Sequence, residues 1–183
     1  MILVAVFAAI ASSLDGPVSA VATPLPPAVC QFPQKESDFT PFGEDTRKAL
    51  GRAHAVAIAL HNSAIGSAHV ALGLLKGENA ATDALKFAHV DTARLAARLR
   101  AVLPKESSRR YGPDLPYDLS GKAVLCFAVR HARQRSSREV TTLDLLAGLT
   151  RGGTADVVAA LQREAIDSSS VEKLSGRRHG RDT

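Results

Sequence analysis

Three histidines in the first apolar half of the chain come closest to the spacing of a metal site. His54 and His61 are seven residues apart and so share one face of a helix, and His69 follows eight residues later. Imidazole is a frequent ligand of zinc and other transition metals. No carboxylate or cysteine stands three or four residues from these histidines, so we expect no metal here and assign His69 a structural role.

Motifs for nucleotide or nucleophile chemistry are missing from the sequence. Gly121 and Lys122 resemble the end of a phosphate-binding loop, but Ala123 follows them and no glycine stands five residues before Gly121. No serine or cysteine belongs to a recognisable nucleophile pattern. We therefore expect no ATPase activity and no other catalysis, and neither a cofactor nor a metal.

Four arginines offer a surface for nucleic acid. Arg130, Arg133, Arg135 and Arg138 lie in RHARQRSSREVTTLDLLAGL, which has the layout of a helix-turn-helix. The net charge of +5, from 23 basic and 18 acidic residues, is modest for a nucleic-acid-binding protein. A solvated basic face is the favoured interpretation, and nucleic-acid binding through residues 130–138 is the alternative.

Composition indicates that helices carry these residues. Hydrophobic residues make up 45% of the 183 positions, whereas aromatic residues make up 4% and tryptophan is missing. Abundant alanine and leucine with few aromatic residues favour helices over sheets. The length suits one core. We predict a single all-α domain.

The amino terminus leaves the compartment of the protein open. Residues 1–22 contain an uncharged apolar run followed by the segments VSA and AVA, which resemble a signal peptide cleaved after Ala20 or Ala22. No Lys or Arg precedes the run, and it is too short to span a bilayer. The protein is exported if residues 1–22 act as a signal peptide and cytoplasmic if they do not. Residues 23–41 read as a proline-rich linker.

The two cysteines are far apart in the sequence. Cys126 lies in the apolar run AVLCFAV, where we expect a buried, unreactive thiol, and Cys30 follows the proline-rich stretch, where we expect exposure. Their spacing predicts neither a zinc site nor a disulfide framework. An exported protein could form one disulfide from the pair.

An internal repeat organises the rest of the chain. A shift of 75 residues superimposes positions 42–80 on later positions without a gap, and after one inserted residue a shift of 76 pairs Val90 and Asp91 with Ile166 and Asp167. Such self-similarity indicates a repeat architecture. The pairs under the first shift include Phe42 with Tyr117, Leu50 with Leu125, Ala53 with Ala128, Ile65 with Val140, Gly73 with Gly148, and Gly77 with Gly152.

Each repeat divides into four short helices. We predict the first helices over 44–60 and 119–133, and expect Gly77 and Gly152 to adopt left-handed backbone after the second helices. The predicted N-caps are Ser67 and Thr142 for the second helices, Asn79 and Thr154 for the third, and Asp91 and Asp167 for the fourth.

The predicted architecture is therefore two tandem four-helix repeats, with about eight helices, related by pseudo-two-fold symmetry and packed as one domain. The domain covers 42–174, with repeat 1 at 42–103, a linker at 104–116 and repeat 2 at 117–174. A basic tail follows at 175–183 and is expected to be disordered.

The sequence resembles the Clp amino-terminal repeat domain, which precedes the ATPase rings of Clp unfoldases and also occurs without them. Repeats of that family open with an aromatic residue and a basic helical segment, here Phe42 and RKAL at 47–50. They continue with a segment close to I-G-T-E-H and L-x-L-G-L-L, here IGSAHVALGLL at 65–75; VTTLDLLAGLT at 140–150 keeps its hydrophobic positions and one glycine. The resemblance assigns a structural or partner-binding role to Phe42, Ile65, Gly66, Ser67, His69, Gly73, Tyr117, Thr142 and Gly148.

One departure from the family changes what the resemblance implies. In relatives that bind phosphoarginine, the glutamate of this segment supplies a carboxylate for the guanidinium. Ala68 and Leu143 stand at those positions, so we do not expect phosphoarginine recognition in the family manner.

The resemblance implies a non-catalytic protein-binding module of bacterial protein quality control. Its expected partners are adaptors, degradation substrates or components of the Clp unfoldase, and this role places it in the cytoplasm. The alternative is an exported helical protein of the cell envelope that binds an unrelated ligand.

Overall fold

The computed structural model describes residues 40–103 and 114–176, and the all-α prediction is confirmed. These residues form eight helices and no extended strand. The predicted leader, most of the proline-rich linker, residues 104–113 and the end of the basic tail lie outside the described residues. The helices are α1 (Glu44–Ala59), α2 (Ser67–Leu75), α3 (Ala80–Phe87), α4 (Thr92–Ala101), α5 (Leu119–Gln134), α6 (Thr142–Gly152), α7 (Ala155–Gln162) and α8 (Ser168–Gly176).

The second helix of each repeat lies at the centre and packs closely on the first. Nearly every residue of α2 and α6 is buried. A Cβ atom on Gly73 would overlap the Ala49 carbonyl oxygen of α1, and one on Gly148 would overlap the Val124 carbonyl oxygen of α5. Glycine at these paired positions therefore lets the helix axes approach closely.

The two repeats exchange short strand-like contacts. Phe42, ahead of α1, forms a parallel bridge with Val140 of repeat 2, and Tyr117, ahead of α5, forms one with Ile65 of repeat 1. The Ile65 N–H donates to the Pro116 carbonyl at 2.8 Å. The two bridges are related by the shift of 75 residues, so the symmetry predicted from the sequence is present in the contacts between the repeats.

The prediction that Ser67 and Thr142 cap their own helices is wrong. The N-cap residue lies one position earlier in both helices. Ser67 Oγ instead accepts from the Thr154 N–H at 3.2 Å, and Thr142 Oγ1 accepts from the Ala81 N–H at 3.2 Å. Each hydroxyl reaches the start of the third helix of the other repeat, because packing of the repeats brings that helix end against it.

The caps of the third and fourth helices mostly follow the prediction. Asn79 and Asp91 each accept from two backbone N–H groups, at α3 and α4. Asp167 accepts from the Ser170 N–H at 2.7 Å at the start of α8. Thr154 is the N-cap residue of α7, but its side chain makes no capping hydrogen bond.

The prediction of left-handed glycines after the second helices is also wrong. No described glycine has a positive φ, and a Cβ on Gly152 would lie 2.8 Å from the Val124 nitrogen, so this glycine serves close packing. Left-handed backbone instead follows the first and third helices, where the next N–H reaches back across the helix end, as in the Ile166 bond to the Leu161 carbonyl. The four residues are His61, His89, Ser136 and Ala165, in two repeat-related pairs.

Candidate functional site

A buried cluster at the junction of α5 and α6 contains the most intensely hydrogen-bonded carboxylate among the described residues. Asp144 is fully buried; it accepts from His131 Nδ1 at 2.6 Å and from Arg135 Nη2 at 2.9 Å. The Thr141 N–H and hydroxyl donate to its other oxygen at 2.8 and 2.7 Å. Every lone pair direction of the carboxylate therefore has a donor.

The cluster keeps Asp144 ionised. Burial by itself would raise the pKa of Asp144, but the hydrogen bonds from His131 and Thr141 and the charge of Arg135 outweigh it and lower the pKa. His131 is 5% exposed and Asp144 is not exposed at all, so this histidine–aspartate pair cannot contact a substrate. Its geometry is that of a bolt between α5 and α6.

His69 occupies the position in repeat 1 that corresponds to Asp144. Its Nδ1 accepts from the Gly66 N–H at 3.0 Å, and its Nε2 donates to Asn62 Oδ1 at 2.7 Å. This pattern requires the neutral ring, and burial lowers the pKa of His69 despite the opposing charge of Asp118. The structural role predicted for His69, with its ring bonded at the helix start, is what these contacts describe.

The spaced histidines do not form a metal-binding group in the described part of the chain. No three His, Cys, Asp or Glu side chains of residues 40–103 and 114–176 are grouped closely enough to hold a metal ion. Both His69 ring nitrogens already take part in the hydrogen bonds to Gly66 and Asn62.

The structure does not support the helix-turn-helix alternative. The helix that would enter the major groove is α6, whose residues 142–149 are all buried. Arg135 is bound to Asp144, and Arg133 Nε donates to Thr40 Oγ1 at 3.4 Å. Of the four arginines, Arg130 and Arg138 remain as exposed side chains without a hydrogen bond described above.

The family-motif residues lie in the core or in the contact between the repeats. Ile65, Ser67, His69 and Thr142 are almost fully buried, and the glycines at 66, 73 and 148 are buried as well. Phe42 and Tyr117 are half-buried at the two bridges. These residues therefore position other groups and do not themselves present a partner surface. Ala68 and Leu143 are also buried, so the family's acidic position is apolar and covered in both repeats.

The sequence analysis missed an accessible set of residues where α5 begins, here called the seam surface: Asp118, Leu119 and Ser120. Asp118 Oδ1 accepts from the Gly121 N–H at 2.8 Å, and Ser120 Oγ accepts from the Ser67 N–H at 2.9 Å across the repeats. Leu119 is 87% exposed. The signal was available, because the corresponding residue of repeat 1 is Glu44, but only the structure places the leucine in solvent beside the bridge.

None of the described helices has the length and apolar character needed to cross a membrane. A comparison with curated protein sequences found no match.

Solved structures of similar fold include several amino-terminal domains of large ATPases and chaperones. The N-terminal domain of the Hsp104 protein of Candida albicans matches with a TM-score of 0.62 and 13% identity over 76% of this chain and 92% of that one. The N-terminal domain of the chaperone ClpD of Arabidopsis thaliana matches with a TM-score of 0.58 and 17% identity over 75% and 96%. That of the ClpV1 ATPase of E. coli matches with a TM-score of 0.59 and 22% identity over 74% and 83%. At these identities the likeness concerns the fold.

The sequence itself matches a family model. The model of the Clp repeat (R) N-terminal domain covers residues 41–164, which include both bridges, both close-packed glycines and seven of the eight helices. The chain therefore belongs to the family of Clp repeat N-terminal domains.

Proposed function

We propose that this protein is a non-catalytic binding module that docks adaptors, degradation substrates or components of a Clp unfoldase through its seam surface. Domains of this family are protein-interaction modules of Clp and ClpV unfoldases. The proposal assigns that kind of role to this chain and to a particular surface.

The observation that carries the proposal is the exposure of Leu119. A large apolar side chain in solvent is a usual anchor of a protein interface, and polar groups at its edge add specificity. Asp118 and Ser120 supply such groups on either side of Leu119. The ionisable groups of the core, by contrast, are buried and already hydrogen-bonded, as the contacts of Asp144 and His69 illustrate.

The test begins with capture of proteins from the source organism on the full-length chain, followed by mass spectrometry. We expect a Clp subunit, an adaptor or a known degradation client among the captured proteins. Recovery of none of these classes would contradict the proposed role. A purified captured protein is then used for titration calorimetry.

Two matched substitutions locate the binding surface. Leu119→Glu introduces the residue that repeat 1 carries at the same position, and we expect it to weaken binding by about tenfold or more because it removes an interface anchor. Ile58→Glu removes another exposed apolar side chain, at the far end of α1, and serves as the control. Equal affinity of the Leu119 variant and the wild type would rule out the seam surface.

A second candidate function is that of an exported helical binding protein of the cell envelope. The disulfide-bonded state of Cys126 favours it, because disulfides persist mainly in oxidising compartments. Sequencing of the mature amino terminus tests it. A start at Val21 or Thr23 would support export, and an intact leader on protein from the cytoplasm would argue against it.

A further inference from the structure

Cys126 lies on the outer side of α5 and is nevertheless covered. It is about 200° around the helix axis from Val124 and Ala128, which face the core. Lys122 and Arg130, its neighbours on the outer side, are exposed, whereas Cys126 is 5% exposed. A small side chain in such a position is covered only if another part of the protein lies over it.

Repeat 1 shows what this position is like without a cover. The corresponding residue of α1 is Gly51, which is exposed, and a Cβ atom there would meet nothing within 4 Å. One and two turns before Gly51, the side chains of Lys48 and Glu44 form an exposed ion pair at 2.7 Å. The same outer positions of α5 hold Ala123 and Leu119, so the outer side of α5 is apolar where that of α1 is charged.

Cys126 is also not the thiol that its apolar surroundings predict. It is disulfide-bonded, and the chain contains one other cysteine, Cys30. We propose that Cys30 and Cys126 form a disulfide that fastens residues 30–39 along the outer side of α5, and that the protein acquires this bond in an oxidising compartment.

The described start of the chain is in the right place for this arrangement. Thr40 Oγ1 accepts a hydrogen bond from Arg133 Nε at 3.4 Å. Arg133 follows Cys126 by seven residues, which is two turns and about 10 Å along the same side of α5. The ten residues from Cys30 to Thr40 reach up to about 33 Å when extended, so the connection has ample length.

The residues around Cys30 suit an apolar surface. Val29 and Phe32 flank the cysteine within a proline-rich stretch. Packing of these side chains beside Ala123 and Phe127 would exclude water from the disulfide. Leu119, two turns before Cys126 on α5, is 87% exposed and stays outside the proposed contact.

Formation of the bond requires an oxidant. The two thiols lose two protons and two electrons, and a thiol–disulfide oxidoreductase accepts them as its own disulfide becomes a dithiol. Such enzymes maintain disulfides in secreted and periplasmic proteins. Cleavage of a leader after Ala20 or Ala22 would retain Cys30 in the mature chain.

The first test is a mass-spectrometric map of the full-length protein produced with its leader in an oxidising compartment. Alkylation under denaturing conditions is expected to modify no cysteine before reduction and both cysteines after it. A digest without reductant is expected to contain one peptide pair joined through Cys30 and Cys126. Two free thiols, or a Cys126–Cys126 link between two copies, would overturn the proposal.

Limited proteolysis tests the contact separately from the core. Trypsin can cut after Lys35, between Cys30 and Thr40, and the amino-terminal fragment should stay attached until reductant is added. In Cys30→Ser, which changes no residue of the described helices, the same cut should release the fragment without reductant and the melting temperature should fall by several degrees. Release from the oxidised wild type would contradict the proposal. Partner binding enters none of these measurements, so they stand or fall independently of the proposed function.

Discussion

His69 and Asp144 are repeat-related residues that perform one task with different chemistry. Both are the third residue of their helix, and each accepts from the N–H of its N-cap residue, Gly66 for His69 and Thr141 for Asp144. The sequence pattern suggested that repeat 2 had lost the histidine without replacement. The structure reveals that a carboxylate took over the cap and recruited His131 and Arg135 as further donors.

The neutral state of His69 predicts a loss of stability in mild acid. Burial lowers the pKa of His69 in the folded protein, so between its folded pKa and the ordinary value of about 6.5 the unfolded chain binds the proton first. The stability that neutral His69 contributes is complete above this window and decreases as the pH falls through it. In urea unfolding at pH 7.5 and 5.5, we expect His69→Gln to lose less free energy of unfolding between the two pH values than the wild type.

Asp118→Asn is the companion variant in the same measurement. It removes the charge that partly opposes the lowered pKa of His69, so the loss between pH 7.5 and 5.5 should become larger. A pH dependence identical in all three proteins would show that His69 is not the responsible group. The contribution of Asp144, whose pKa is lowered, is lost only below the ordinary carboxyl range of about pH 4, outside this window.

Removal of the Asp144 carboxylate should be costly at any pH at which the protein folds. Asp144→Ala leaves His131 and Arg135 buried or half-buried without their acceptor, and we expect a loss of about 3 kcal/mol, the low end for a broken buried ion pair because Arg135 is 21% exposed. The exposed pair of Arg151 and Glu172 provides the control, and Arg151→Gln should have little effect. Similar urea midpoints for the two variants would contradict the structural weight given to Asp144.

At the scale of helices, close packing of α5 and α6 depends on glycine. In Gly148→Ala the new methyl group meets the backbone of Val124, which cannot rotate away, and we expect a loss of about 2 kcal/mol or more. Gly51→Ala is the matched control in the middle of α1, where the methyl group meets nothing, and it should gain about 1 kcal/mol through helix propensity. Changes of the same sign in urea unfolding would be inconsistent with this difference.

Helix positions could be predicted from sequence, but some helix ends could not. The first helices were expected at 44–60 and 119–133 and are found at Glu44–Ala59 and Leu119–Gln134. Periodicity and cap residues suffice there because both are local signals. Ser67 and Thr142 were misassigned as caps because a hydroxyl near a helix start carries the same local signal whether it bonds to its own helix or to another.

At the scale of the whole molecule, the two repeats form one buried apolar cluster, with members from Ala49 in α1 to Val171 in α8. Each bridge joins a segment ahead of one repeat to a loop of the other. We therefore predict that the full chain unfolds in one transition, with coincident far-UV circular dichroism and urea-dependent fluorescence of an extrinsic apolar dye.

Truncation tests the same dependence. A chain of residues 1–103 retains all of repeat 1 but lacks Tyr117 for its bridge and Thr154 for the Ser67 hydroxyl, so it should melt without a cooperative transition. A truncated chain that melts cooperatively near the temperature of the full chain would show that the repeats are independent domains.

The sequence by itself determined the all-α class, the eight helices, the two-fold repetition and the family resemblance, because these follow from composition, local caps and self-similarity. Tertiary structure decided which residues meet: the crossed bridges at Phe42 and Tyr117, the burial of His69 and Asp144, and the exposure of Leu119. The reason is physical. A repeat of 75 residues specifies two similar units, whereas the contacts between them depend on how the units dock, and docking pairs side chains far apart in the chain that no local pattern connects.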